Sequence, residues 1–283
     1  MRNKKNKYVK VREVMPGLYE IGANAVQCHL FVGEHHALLV DTGYGLINLP
    51  AVVRGITKLP LYIVNSHGHA DHACGNSQFG QCVYIHPDDL EVFSRHNSPE
   101  YRKMMLGALQ GLQKLLFFLH IVPPGIDAEQ YLQDDFSDFL PVREGDVFEL
   151  GGMTIRVVEL PGHTPGSIGL LCDKLRVLIT SDAINSNVYM FLPESTKLSV
   201  YKQSLYKARE LDFDFFITGH QPKLLPKSEL DAYIETAEHA DFEKGIKQQE
   251  NGLTPGVELR RCIHPSMKKH KAPGIMICRD KFD

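Results

Sequence analysis

The chain has 283 residues, of which 43% are hydrophobic and 23% charged, and its formal net charge is −3. This is the mix of an ordinary soluble globular protein with enough apolar side chains for a buried core. The charge offers no general pull toward nucleic acid, and no apolar run approaches the roughly eighteen residues of a membrane span.

The start, "MRNKKNKYVKVREV", is basic but lacks the apolar centre and small-residue cleavage site of a signal peptide. Short β-branched runs then recur in chain order: "GLYEIG", "HLFVG", "HALLVDTG", "LYIVN", "CVYIH", "MTIRVVEL", "IGLLCD", "LRVLITSD" and "FDFFITG". Bounded by Gly, Asn or Asp, they read as strands. From Tyr101 to Leu119 the apolar residues Met105, Ala108, Leu109, Leu112, Leu115, Leu116 and Leu119 follow helical spacing. "SVYKQSLYKARELD" and the charged "KSELDAYIETAEHADFEKGIKQQ" predict two more helices, the second on the surface. The alternation predicts a mixed α/β domain spanning 1–283, with a helical insertion at about 88–138. A tail from Asn251 reads as a loop with a solvated basic cluster, "HPSMKKHKAPG", then a last strand, "GIMICRD". Six cysteines without CxxC pairing read as reduced, mostly buried thiols, which points to a cytoplasmic address.

The chemistry concentrates in "VNSHGHADHACGN", where His67, His69, Asp71 and His72 follow the apolar run "LYIV". If the chain leaves its strand extended, His67 and His69 point to one side, and Asp71 and His72 follow around a turn. Packed imidazoles and a carboxylate are costly to desolvate without compensation, which a divalent metal supplies. The plain alternative is a polar surface turn in a chain with 14 histidines. Three further residues sit at strand ends, where α/β proteins assemble sites: His163 in "LPGHTPGS", Asp182 in "LITSDA" and His220 in "FFITGHQ".

In that order, HGHADH, GHTPGS, SDA and TGH, with "LLVDTG" before them, resemble the metallo-β-lactamase-fold hydrolases. The resemblance runs from Leu39 to His220 and implies an αββα sandwich of two similar halves, with a two-metal site at its rim. It implies that His67, His69 and His163 hold one divalent ion, that Asp71, His72 and His220 hold another, and that Asp182 bridges both. Zinc is the expected metal, with iron or manganese open to the same N/O donors. A hydroxide shared by the ions would be the nucleophile, and Asp71 could orient it as a catalytic group. Asp41, at the end of "ALLVD", is the candidate carboxylate behind a histidine ligand; the alternative is an aspartate capping a turn before Gly43.

The branch within the family is read from departures. An aspartate at 182 is similar to glyoxalase II, the lactonases and the phosphodiesterases, whereas true metallo-β-lactamases place a cysteine or serine near there. "DHACGN" is similar to the DHxxGN of hydroxyacylglutathione hydrolases, but the stretch between His72 and His163 is longer and that after His220 shorter than theirs. Cys74 reads as a small buried thiol at the start of a following helix rather than a ligand. Tyr189 or Asn185 could donate to an oxyanion or serve packing and a turn. The complete ligand set argues against a mononuclear sulfur dioxygenase, and His69 stands where flavodiiron proteins have glutamate. The resulting expectation is a dinuclear metal hydrolase acting on a small ester, thioester or lactone. A phosphodiesterase or nuclease-like member and a non-heme iron redox member are the alternatives. The insertion carries Met104, Met105, Leu106, Leu109, Leu112, Leu115, Leu116, Phe117 and Phe118, more than one buried stripe needs. It could roof the substrate or form a homodimer contact.

Overall fold

Each of the apolar runs quoted above forms a strand in the computed structural model, which describes residues 7–23, 25–116, 119–249, 253–267 and 273–283. The chain divides into two units. The first runs to Val142 and adds Asp146–Ile155 and His220–Pro222; the second holds Arg143–Gly145, Arg156–Gly219 and the chain from Lys223 onward.

The first unit is built on a seven-stranded sheet in sequential order. Its strands are β1 (Val9–Met15), β2 (Leu18–Ala23), β3 (Val26–Val32), β4 (Ala37–Val40), β5 (Leu61–Val64), β6 (Val83–Ile85) and β7 (Phe139–Pro141). Pairing is antiparallel from β1 to β4 and parallel from β4 to β7. β4 is therefore buried along its whole length, as its unbroken run "ALLV" requires. Helix α1 (Leu49–Ile56) returns the chain to β5, started by Asn48, whose side chain accepts from Ala51 N at 3.0 Å. It buries Leu49 and Val53 against Ile21, Leu30, Leu39 and Ile63. A short helix α2 (Ala70–Ala73) follows β5, and a last strand of this unit, β8 (Val147–Glu149), sets Phe148 against Tyr62 and Tyr84.

The segment from 88 to 138 holds three helices: α3 (Leu90–His96), α4 (Pro99–Leu115) and α5 (Ala128–Leu132). Ser98 Oγ caps α4 by accepting from Tyr101 N at 3.2 Å, with Pro99 in the first turn. The helix ends earlier than its apolar spacing suggested. Leu116 leaves helical geometry, and the Gln113 side chain accepts from Ile121 N at 2.7 Å, turning the chain back on itself. Phe117 and Phe118 lie outside the described residues. One face of α4 buries Leu106 and Leu109 with Cys74, Ile121 and Tyr131; another leaves Met104 40%, Leu112 43% and Leu115 78% exposed.

The second unit takes β9 (Thr154–Glu159) from Arg156 and continues through β10 (Ile168–Cys172), β11 (Val177–Ser181), β12 (Asn187–Met190), β13 (Phe215–Thr218) and β14 (Leu225–Pro226). Its larger sheet runs β14-β13-β11-β10-β9, with β11 and β13 parallel. A smaller sheet pairs β12 with β17 (Gly274–Cys278), then β16 (Leu259–Ile263) and β15 (Ile246–Lys247). Helices α6 (Leu198–Glu210) and α7 (Leu230–Glu238) bury Tyr201, Leu205, Ile234 and Ala237 in the same cluster as Phe216 and Leu178. The charged segment expected to be one long helix stops at His239. Asp241 Oδ1 accepts from Glu243 N at 2.9 Å, and this turn leads into β15. Lys268 to Ala272 of the basic tail lie outside the described residues. No helix among the described residues is long and apolar enough to cross a membrane.

The insertion is anchored by Arg102, which is buried. Its guanidinium donates to Asn97 Oδ1, Tyr131 O and Cys74 O at 3.1 Å each and pairs with Asp134 at 3.1 Å. Removing one partner of a buried pair strands the other. Arg102→Met should therefore lower stability by about 3–5 kcal/mol in urea titration. A loss under about 1 kcal/mol would show that the insertion does not depend on this anchor.

Candidate metal centre

Two strand ends in the first unit converge on one carboxylate. Asp41 follows β4 with φ of 65°, a left-handed conformation that Asp tolerates better than most side chains. Its Oδ1 accepts from Ser66 N at 2.7 Å and its Oδ2 from Ser66 Oγ at 2.8 Å. Oδ2 also lies 2.8 Å from His72 Nδ1. Ser66 Oγ stands 3.0 Å from His67 Nδ1. The hydroxyl has one proton, and Asp41 takes it, so Ser66 Oγ accepts from His67 Nδ1–H. Both rings then carry their proton on Nδ1 and keep Nε2 as the lone-pair nitrogen a cation needs.

The turn after β5 is locked by amides. Thr42 N donates to His72 O at 2.7 Å, and the Asn65 and Asn76 side chains exchange hydrogen bonds of 2.7 and 3.2 Å. Gly75 must lack a side chain, since a Cβ there would come 2.3 Å from Thr42 O. Within this frame the histidine rings stand in file, edge-on or tilted to one another. His67 lies 4.7 Å from His69 and 4.2 Å from His72, and His72 lies 5.4 Å from His220, centroid to centroid. His220 donates from Nδ1 to Ala25 O at 3.0 Å. Asp71 Oδ2 lies 3.4 Å from His72 Nε2 and 3.3 Å from His220 Nε2. Asp71, His72 and His220 thus each offer a ligand atom within 4.8 Å of the others. Burial works against the charge on Asp71, yet His72 and His220 outweigh it and hold its carboxyl well below the usual range.

The second unit brings together the remaining expected residues. His163 sits in a turn after β9 whose Gly162 leaves room for Tyr201; a Cβ there would lie 2.8 Å from the tyrosine ring. Its Nδ1 donates to Tyr189 O at 2.8 Å, and its Nε2 lies 3.8 Å from Asp182 Oδ2. Asp182 follows Ser181, whose φ is 48°. Asn185 donates to Asp182 Oδ1 at 2.9 Å, so its amide supports this carboxylate. Tyr189 contributes its carbonyl to His163 while its ring stacks on Phe191 at 5.1 Å.

Cys74 departs from expectation in place: it ends α2 rather than starting a helix. Burial among Tyr44, Leu106 and Leu109 pushes its thiol up to about 12. Four neighbours escaped the sequence reading. Ser66 is described above. Cys28 is buried, and burial with Asp41 and Asp71 nearby pushes its thiol well up. His96, at the end of α3, stacks 4.3 Å from His69 and 4.3 Å from Tyr101. Asp89, fully buried, accepts from Gly68 N at 2.7 Å. A cavity of about 840 Å³ in the first unit is separate from the histidines and is lined by Ser77, Arg102, Asp127, Glu129, Asp134 and Asp135 among others.

The donor chemistry fits divalent metal: clustered imidazoles and a carboxylate, with each of His67, His72, His163 and His220 bonded through Nδ1. The chain is 27% identical over 206 residues to the human acyl-coenzyme A thioesterase MBLAC2, covering 68% of this chain and 70% of that protein. It is 30% identical over 154 residues to the hydroxyacylglutathione hydrolase GloC of Haemophilus influenzae, covering 53% and 62%. A metallo-beta-lactamase family protein from Thermus thermophilus superposes with a TM-score of 0.54 at 22% identity, covering 78% of this chain and 79% of that one. That likeness speaks to the fold, which is the expected mixed α/β one. The profile of the metallo-beta-lactamase superfamily matches residues 21–220, and the chain belongs to that superfamily.

Proposed function

We propose that the protein is a dinuclear metal-dependent hydrolase of thioesters, with related esters and lactones as poorer substrates. The observation that carries this reading is the cluster of Asp71, His72 and His220 within 4.8 Å, with the rings of His67 and His69 in file beside it. Family membership supports carrying the full set over. His67, His69 and His163 would hold one ion, Asp71, His72 and His220 the other, and Asp182 both. Two divalent ions bound there would polarise a carbonyl oxygen and lower the pKa of water. Asp71, held ionised at neutral pH, would orient the nucleophile by accepting its proton in a hydrogen bond. Asp41, through His72 directly and His67 by way of Ser66, fixes the proton on Nδ1 of both rings, so Nε2 would be the atom offered to a metal. Both relatives act on sulfur-linked acyl groups by name, which favours thioesters.

On this reading the whole chain acts as one hydrolase domain, and the exposed Met104, Leu112 and Leu115 of α4 suit an acyl chain. Six free cysteines, five of them buried, support a reducing cytoplasmic setting.

Purified protein should carry about two divalent ions per chain and lose thioester hydrolysis when they are chelated. Elemental analysis would identify them as zinc, iron or manganese. Across acyl thioesters, esters, lactones and a phosphodiester, thioesters should turn over fastest, with preference rising with acyl length. Phosphodiester turnover far above every thioester would overturn the assignment.

Asp41→Ala should weaken metal binding or activity by about 10- to 100-fold. Asp182→Ala should remove both ions and cost several orders of magnitude in rate, while Cys74→Ala should retain both. Metal loss from Cys74→Ala with none from Asp182→Ala would invert the ligand assignment.

A further inference from the structure

The segment that carries His67 and His69 is gripped by a residue no ligand motif includes. Gly68, between the two histidines, donates its amide to Asp89 Oδ2 at 2.7 Å. A Cβ on Gly68 would stand 2.6 Å from Phe93 N and 2.7 Å from Asp89 O, so the insertion packs backbone to backbone on this point. Asp89 occupies the N-cap position of α3, yet its side chain makes no capping bond to that helix. Its own amide is tied to His86 O at 2.9 Å, which fixes where the carboxylate starts. The neighbouring Asp88 side chain is 60% exposed, whereas Asp89 is 0% exposed. Burying a carboxylate is costly unless hydrogen bonds compensate it, and a backbone amide is among the groups it meets here.

We propose that Asp89 is a positioning residue for the ligand pair His67 and His69, acting through the Gly68 amide. This rests on the metal-hydrolase reading above. The backbone at Gly68 sets the relation of the two rings, which meet edge-on at 80°. With the amide released, that relation loosens, and the ion both histidines hold is weakened. The ion held by Asp71, His72 and His220 is affected far less.

The test is metal titration of the metal-free protein, with cobalt absorption resolving the two ions and a chromophoric chelator giving zinc affinity. Asp89→Ala should weaken one ion by about 10- to 100-fold and leave the other within about threefold. Asp89→Asn, which keeps an acceptor oxygen of the same shape, should recover most of that loss. Thermal melting of the metal-free variants reports the fold separately. Unchanged affinity for both ions in Asp89→Ala, or equal loss of both alongside a lowered metal-free Tm, would overturn the proposal. So would an Asp89→Ala that stays unfolded with metal added, or an Asp89→Asn no better than alanine. A wild-type protein that takes up one ion or cleaves no thioester would instead defeat the functional reading. The Asp89 comparison could still be read on the ion that His67 and His69 bind.

Discussion

The first unit depends on one buried carboxylate. Asp41 receives an amide, a hydroxyl and an imidazole within 2.8 Å, and by proton bookkeeping it sets the tautomer of two rings. Such a charge is expensive in a protein interior unless its lone pairs are filled. Here they are filled by groups that themselves need direction. The left-handed backbone at residue 41 adds strain on the order of 1–3 kcal/mol, which the surrounding bonds must offset. An asparagine could adopt the same backbone, yet only one of its two terminal atoms accepts a hydrogen bond. The carboxylate is required by the number of donors that meet it.

The same logic recurs with weaker acceptors. His163 and His220 donate from Nδ1 to the carbonyls of Tyr189 and Ala25 rather than to a carboxylate. A carboxylate behind a ring makes a stronger, charge-assisted hydrogen bond than a neutral carbonyl does, so His72 is the most firmly oriented among them. Strain recurs as well: Ser181, immediately before Asp182, shares the positive φ of Asp41. In each unit a buried strand ends in a conformation that ordinary residues avoid, and a carboxylate stands at or beside it. Strained backbone of this kind persists only where its surroundings over-determine it.

Much of this was legible in the sequence because buried parallel strands read as unbroken apolar runs and polar residues mark their ends. The candidate ligands sit at those ends, so His163, Asp182 and His220 could be found without knowing what they face. What escaped depends on partners distant in sequence. Ser66 looks like any small residue in a histidine turn until Asp41 is placed against it. Asp88 and Asp89 are alike in sequence, and only tertiary packing buries one and exposes the other. Helix lengths were overread for a related reason. Periodicity continues through Leu119, but the Gln113 side chain binds Ile121 N and Val122 N and ends α4 before that point. Apolar spacing cannot register a polar side chain that competes for the backbone.

The insertion therefore has a second character beside its exposed apolar face. Asp89 binds the amide of Gly68, His96 stacks on His69, and Arg102 donates to the carbonyl of Cys74. All three reach the stretch that holds His67, His69, Asp71 and His72. They come from α3 and the first turn of α4, whereas Leu112 and Leu115, on the exposed face, come from its far end. The start of the insertion braces the histidine turn, and the C-terminal end of α4 presents apolar surface. Side chains can thus be exchanged at the C-terminal end of α4 with little strain passed to the histidines. Exchange at the near end would disturb both the fold and the histidine turn at once.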